Sequence, residues 1–357
     1  PKTQREAEPF QYFTERNFEN ITQITQLSPE LRFDMQVVSS VLPFKVNSYV
    51  VNQLIDWSDI PDDPIFQLTF PQKGMLSEDH YSRMARLIAA EAPRNEIKEE
   101  ANRIRLELNP HPAGQTTLNV PTLDGEVLPG LQHKYRETVL FFPAAGQTCH
   151  AYCTFCFRWA QFVGMSDLRF AAKQAGQLHE YIRRHPEVTN VLFTGGDPMV
   201  MKPHKLEQYV EPLLDPSVEH LQTIRFGTKS VAYWPQRFVT DPDADDLLRL
   251  FDRIIASGRS VAVMAHYNHH RELETALARE AVRRIRDTGA VIRSQSPLLA
   301  HINDSPGVWE LMWREQVRLG IIPYYMFVER DTGAEEYFGI PLVRAVKISV
   351  SYTHLRA

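Results

Sequence analysis

Cysteine is scarce in this sequence, 3 residues in 357, and the odd count excludes a scaffold held together by paired disulfides. Long apolar runs are missing as well. No stretch approaches the length of a membrane span, and the polar N-terminus has no signal-peptide profile. Charge of one sign is also absent: 39 Lys and Arg stand against 44 Asp and Glu, a formal net charge of −5. That balance argues against a general nucleic-acid surface or an anionic-membrane surface. What remains is ordinary for a globular chain, 43% hydrophobic and 23% charged, long enough for one large domain or two ordinary ones. Unpaired thiols suit a reducing compartment, so a cytoplasmic location without nucleic-acid or membrane partners is the expectation.

The three cysteines are not scattered. All lie in Cys149-His150-Ala151-Tyr152-Cys153-Thr154-Phe155-Cys156, a CxxxCxxC spacing. Thiolates are preferred ligands of soft metals and iron–sulfur clusters. Three with no fourth cannot close a four-cysteine site. They can hold three irons of a four-iron cluster and leave one iron open to an outside ligand. Two other readings stand beside this one. A structural zinc site would complete Cys149, Cys153 and Cys156 with His150 or a distant histidine, although zinc sites more often use paired CxxC units. Three buried cysteines acting as small hydrophobes would need no ligand, but their confinement to one loop is then unexplained.

Periodicity divides the chain. Ser28-Pro29-Glu30 reads as a helix start, and Ser77 caps a helix over Glu78 to Glu91 with Tyr81, Met84, Leu87 and Ile88 on one face. Asn109 to Gly130, rich in Pro and Gly, reads as a linker. Residues 1–132 are therefore expected to form a mainly helical N-terminal cap and linker, with no catalytic constellation of its own.

From Tyr135 a different rhythm begins. Six apolar runs, Val139 to Phe142, Val191 to Phe193, Thr223 to Phe226, Val261 to Ala265, Ala290 to Ile292 and Pro323 to Val328, read as strands. Helical patterns lie between them: Asp167 to Arg184, Lys205 to Leu214, Asp243 to Ser257, Arg271 to Thr288 and Val308 to Leu319. Strict alternation predicts an α/β fold, a six-unit partial parallel β/α barrel over residues 133–346. Residues 347–357 lose the periodicity and read as a foreign or truncated tail. The opening Pro1, without a methionine, fits a fragment.

In parallel barrels chemistry gathers at the C-terminal ends of the strands, and the cysteine loop leaves the first strand at that end. Thr194-Gly195-Gly196-Asp197-Pro198 follows the second strand. Asp197 there is either a helix N-cap before Pro198 or, with two glycines letting backbone approach closely, a carboxylate for an ammonium group. His266-Tyr267-Asn268-His269-His270 follows the fourth strand and reads as polar loop histidines or a metal site. Gln295 ends the fifth strand, as a ligand contact or part of a capping loop.

CxxxCxxC, with aromatic Phe155 before the last cysteine, resembles the signature of the radical SAM superfamily, in which S-adenosylmethionine (SAM) chelates the open iron. Thr-Gly-Gly-Asp-Pro looks like the variant that lysine 2,3-aminomutases use to bind the SAM amino group. His133-Lys134-Tyr135, Cys149 to Gly164, Pro235-Gln236-Arg237, His266-Tyr267-Asn268-His269, Gln295-Ser296, Asn303-Asp304 and Pro323-Tyr324-Tyr325 follow the order of that family. The resemblance covers Val38 to Val346.

It implies an enzyme that cleaves SAM to a 5′-deoxyadenosyl radical, abstracts a hydrogen from an amino acid and moves an amino group from the α to the β carbon. The cofactors implied are a 4Fe-4S cluster on Cys149, Cys153 and Cys156, SAM held by Phe155, Gly195, Gly196, Asp197, His266 and Gln295, and pyridoxal phosphate (PLP) contacted by Lys134 and Tyr135. Arg158 matches the clamp on the substrate carboxylate, and Asp304 a reader of the distant ammonium of lysine. Read as residues alone, Arg158 has a surface salt bridge as its alternative and Asp304 a turn aspartate before Ser305-Pro306. An electron donor such as flavodoxin or ferredoxin, and a homo-oligomer, are implied by the same resemblance.

The chain also departs from the family. Phe157-Arg158-Trp159 replaces a Thr-Arg-Arg-Arg-like run and points to a different substrate, and Lys134 replaces an arginine. The Gly-rich stretch bearing the PLP-anchoring lysine is missing. A PLP-independent radical SAM enzyme, an aminomutase acting on a protein-bound lysine, and a zinc-stabilised binding protein are the alternatives.

Overall fold

In a computed structural model of the chain, residues 10–109, 118–164, 170–172 and 175–354 are described. Residues 1–9, the middle of the Asn109–Gly130 linker, the start of the Asp167–Arg184 pattern and the last three tail residues lie outside them.

The N-terminal region is mainly helical around a small antiparallel pair, β1 (Tyr12–Thr14) and β2 (Lys45–Asn47). Helix α1 (Pro29–Val41) starts where the sequence places it: the Leu31 N–H donates to Ser28 Oγ at 3.2 Å, with Pro29 in the first turn. It is followed by α2 (Pro64–Thr69), α3 (Glu78–Ala89) and α4 (Arg94–Glu107). On α3, Tyr81 and Met84 are buried, the apolar face its spacing calls for. A short hairpin, β3 (Thr122–Leu123) with β4 (Glu126–Val127), leads to β5 (Leu131–Tyr135).

The six apolar runs become six parallel strands: β6 (Thr138–Phe141), β7 (Asn190–Phe193), β8 (Thr223–Thr228), β9 (Ser260–His266), β10 (Val291–Leu298) and β11 (Ile322–Val328). Between and after them run α5 (Ala175–Arg184), α6 (Pro203–Val210), the short α7 (Ser230–Tyr233) and α8 (Gln236–Val239), α9 (Ala244–Ala256), α10 (Ala276–Asp287), α11 (Pro306–Arg318), α12 (Glu335–Phe338) and α13 (Leu342–His354). The sheet order is sequential, from β5 to β11, so the strands form an open, partial barrel. The α/β six-unit expectation holds.

Three features differ from the sequence reading. β5 adds a seventh, antiparallel strand, which its exposed polar residues conceal. The Arg271–Thr288 pattern is interrupted, because the Ala278 N–H donates to Thr275 Oγ1 and starts α10 afresh. The described part of the tail is helical: α13 runs through Lys347, with Ala345 and Ile348 buried against the body.

Alternation along the strands sorts the two faces. Val139, Phe141, Val191, Phe193, Ile224 and Phe226 are fully buried; Phe226, for example, stacks on Phe251 of α9. Leu140, Leu192 and Gly227, on the other face, line a central cavity. Among the described residues no helix is long and apolar enough to cross a membrane.

Candidate active site

A cavity of about 310 Å³ lies at the C-terminal ends of the parallel strands. Its wall includes Cys149, Cys153, Cys156, Phe155, Arg158, Gly195, Gly196, Asp197, His266 and Gln295. Ten residues singled out across 147 positions of sequence therefore meet in one place, because each follows a strand of one sheet or lies in its C-terminal half; Gln295 does not end its strand, since β10 runs on to Leu298.

The cysteine loop is fixed largely by the N-terminal region. Lys45 Nζ donates to the Cys149 carbonyl at 2.7 Å, and the Tyr152 N–H donates back to the Lys45 carbonyl at 2.8 Å. Thr154 donates through its N–H to the Leu68 carbonyl at 3.0 Å and through Oγ1 to the Gln67 carbonyl at 2.7 Å. These four bonds from the cap set where the thiols point.

The donor set fits a cluster better than a single ion. Among the described residues no three His, Cys, Asp or Glu side chains converge to hold one metal ion. A mononuclear zinc needs such convergence; a cubane does not, because each thiolate takes its own iron at a different corner. His150, the proposed fourth zinc ligand, is buried with Nε2 3.3 Å from Asp197 Oδ2 and its ring against Tyr233 and Trp234. Burial pushes the Cys153 thiol up to about 12 and that of Cys156 to about 11.

The glycine pair is required by its contacts. A side chain on Gly196 would meet the Thr148 carbonyl oxygen at 2.3 Å, and Gly195 has φ +134 with the Gln147 side chain against it. The second strand's loop thus lies directly on the cysteine loop.

Asp197 is spoken for. Oδ1 accepts from the Met199 N–H at 2.9 Å, the N-cap geometry, and Oδ2 accepts from the Lys229 N–H at 2.9 Å and Ser230 Oγ at 3.1 Å. Thr228 Oγ1 lies 2.7 and 2.8 Å from the two oxygens. Burial alone would raise this carboxyl; hydrogen bonding to His150, the His150 charge, Thr228 and Met199 hold it below the usual range instead. The side chain caps and braces the loop, which leaves the Gly195-Gly196 backbone as the part of the motif free to meet a ligand.

His266 lies with its ring 5.5 Å from that of Phe155, interplanar angle 26°, and its buried Nε2 has no partner among the described residues. Burial, and then the Lys229 charge, hold it well below the usual imidazole range, so the ring is neutral. Its two neighbours do not join it. His269 accepts from the Arg271 N–H at 3.3 Å, and His270 pairs with Glu274 at 2.7 Å. Among the described residues these histidines join no group of three metal-ligating side chains.

Arg158 lies over the Phe142 and Phe157 rings at 4.3 and 5.1 Å, with Nη1 buried and unpartnered among the described residues. Burial lowers it to about 10 despite the nearby Cys156, and Arg330 pushes the same way.

Three expected site residues lie elsewhere. Asp304 pairs with Arg344 of α13 at 2.7 Å and does not line the cavity, because the loop after β10 carries it outward to the start of α11. Lys134 and Tyr135 are at the far end of the sheet: β5 runs antiparallel to β6, and Tyr135 faces Thr138, the first residue of β6. Lys134 Nζ rests 5.6 Å over the Tyr135 ring. A hairpin reverses the chain there, so these two cannot reach a cofactor at the cysteine end. The residues offered for PLP do not fit, and Lys229, the lysine on the cavity wall, is bound to Asn268 and Glu272.

The sequence reading passed over Lys229, Glu329 and Arg330, all on the cavity wall. The first follows the last residue of β8, and the other two follow β11. The strand-end rule that located the cysteine loop would have found them. Lys229 Nζ donates to Asn268 Oδ1 at 2.7 Å and Glu272 Oε1 at 2.8 Å, tying the loops after β8 and β9 together. Glu329 is half-buried, its carboxyl pushed up to about 8 by burial and by Glu335.

No model of a protein family matches the chain. Among curated proteins, "Putative L-lysine 2,3-aminomutase" of Aquifex aeolicus is 32% identical over 334 residues, 92% of this chain and 77% of that one. The L-lysine 2,3-aminomutase of Acetoanaerobium sticklandii is 29% identical over 263 residues, 73% of this chain and 59% of that one. A radical SAM methyltransferase from Sphaerobacter thermophilus superposes with a TM-score of 0.42 at 16% identity over 75% of this chain and 89% of that one, too slight a likeness to carry an argument. The Aquifex match runs nearly the whole chain, through the cap that fixes the thiols as well as the sheet that carries them. The protein is a member of the lysine 2,3-aminomutase family.

Proposed function

We propose that this chain is a radical SAM enzyme that abstracts hydrogen from a free amino acid and moves its amino group between adjacent carbons. The observation that carries the reading is the meeting of all three thiols with Gly195-Gly196, His266 and Gln295 on one cavity wall. Bound there, a 4Fe-4S cluster with SAM supplies reductive cleavage to a 5′-deoxyadenosyl radical, the chemistry no side chain can provide.

The chain's own residues supply position and shelter. Cys149, Cys153 and Cys156 would hold three irons. The Gly195-Gly196 backbone offers close approach for the amino group of SAM, while Asp197 keeps that backbone in place. Phe155 and the neutral His266 form a flat, partly apolar surface suited to adenine, and the unpartnered His266 Nε2 is free to hydrogen-bond it. Gln295 is the further polar group at that end. Arg158 presents an unpaired guanidinium for the substrate carboxylate, a planar fork that suits bidentate contact. The enclosing aromatic residues keep water from a reactive radical.

Lys134 and Tyr135, the residues offered for PLP, do not reach the cavity, so no step is routed through it. A cytoplasmic reductant of the flavodoxin or ferredoxin kind, and assembly into a homo-oligomer, belong to the same reading.

The test is anaerobic reconstitution with iron and sulfide, followed by iron counting and a reductive SAM-cleavage assay. About four irons per chain, with 5′-deoxyadenosine formed on reduction, are expected for a cluster of this type. Stoichiometric zinc with no iron uptake would sink the reading.

A further inference from the structure

The charged side chains on the cavity wall are Arg158, Asp197, Lys229, Glu329 and Arg330. Two of them are already neutralised. Asp197 is taken up by Thr228, Ser230 and backbone N–H groups, and Lys229 by Glu272 and Asn268. The two arginines are not: among the described residues neither Arg158 nor Arg330 has a carboxylate partner. Arg158 has a buried Nη1 with nothing to donate to.

Both guanidinium groups lie over one ring. Their carbons are 5.1 and 5.9 Å from the Phe157 centroid, so no more than the sum of those distances separates the charges. The turn bearing Arg330 is held where it is. Trp159 Nε1 donates to Thr332 Oγ1 at 3.0 Å, and the Gly333 N–H donates to the Leu108 carbonyl at 3.0 Å. Phe157-Arg158-Trp159, the run that departs from the family, therefore acts as a unit. Phe157 spaces the two cations, Arg158 is one of them, and Trp159 pins the turn that supplies the other.

Two unpaired like charges on the wall of one cavity favour an anionic ligand and oppose a second cation. The ammonium of a lysine side chain would need a committed carboxylate here, and none is free: Asp304 is paired with Arg344 away from the cavity, and Glu272 is bound to Lys229. Burial and Glu335 push the Glu329 carboxyl up to about 8, which disfavours its charged form.

We propose that the substrate is an α-amino acid with an acidic side chain, one carboxylate held by Arg158 and the other by Arg330. The proposal rests on the radical SAM reading above and replaces lysine as its substrate.

The test is calorimetric binding of L-glutamate, L-aspartate and L-lysine to the full chain, reconstituted with iron and sulfide and loaded with SAM, alongside 5′-deoxyadenosine release. At least one acidic amino acid is expected to bind and stimulate release, with lysine about tenfold weaker or worse. Arg330→Gln should weaken the acidic ligand about tenfold or more, since a charge-assisted pair is lost. Arg330→Asp should turn the preference toward lysine. Arg330 is exposed, so neither variant threatens folding. Lysine preferred by the unaltered protein would give that wall to Glu329 and overturn the proposal. Iron and SAM cleavage without binding of either acid would overturn it too, leaving the enzyme reading intact. A protein that takes up no iron would defeat that reading first, and the substrate assignment with it.

Discussion

The mouth of this sheet has two unlike halves. Around the loops after β7, β8 and β9, each buried charge has a partner: Asp197 with His150, Thr228 and Ser230, and Lys229 with Glu272 and Asn268. Around the cysteine loop's far end and the turn after β11, Arg158 and Arg330 have no such partner among the described residues, and Glu329 is pushed up by burial. A saturated network fixes geometry, because moving any member strands another. An unsaturated one keeps free energy in reserve for a ligand. The first half is built to position, the second to bind.

The three cysteines proposed to hold the cluster lie where the halves join and carry the largest expected effect. Replacing any one of Cys149, Cys153 or Cys156 with Ala should strip most of the iron from reconstituted protein. Iron retained at the unaltered stoichiometry would remove that cysteine from the site.

Within the saturated half, Glu272→Ala leaves the Lys229 ammonium buried beside Tyr233 with its carboxylate gone. Chemical denaturation should show a loss of about 3–5 kcal/mol, the usual result of breaking a buried pair from one side. A loss under about 1 kcal/mol would mean that the network is not rigid, and would dissolve the contrast between the halves.

Arg158→Ala reads the other half. The guanidinium has no ion pair to lose, so folding stability should change by about 1 kcal/mol or less, the size of its aromatic contacts. Substrate turnover should fall by about a hundredfold, equivalent to roughly 3 kcal/mol of binding and orientation. Normal turnover would place Arg158 outside the site.

Asp304→Ala should matter least. Its partner Arg344 is a partly exposed surface contact, so stability should move by less than about 1 kcal/mol and substrate affinity not at all. A marked loss of affinity would restore Asp304 to the substrate site.

Strands and cofactor loops were legible because their signals are local. Runs such as Val191 to Phe193 place apolar side chains on both faces of a parallel sheet, one in the core and one on the cavity, and thiols spaced CxxxCxxC need only one loop to share a site. β5 escaped because Gln132, His133 and Lys134 show no apolar run; its place follows from the hairpin with β6. The Asp197 motif is a middle case. Both readings of it were written in the sequence, and the choice between capping and ligation depends on Thr228 and Ser230, some thirty positions away, reaching the same carboxylate.

Sequence by itself determined the alternation of strands and helices, the six parallel runs and the grouping of the thiols, since hydrophobic period and residue spacing are properties of neighbours along the chain. Tertiary structure alone decided which charges are spent. Asp304 is neutralised by Arg344 from a later helix, Asp197 by a loop one strand over, and Lys229 by Glu272 from the loop after β9. Arg158 and Arg330 come together from positions far apart in the chain. Pairing acts through space at a few ångströms, and only the fold sets those distances.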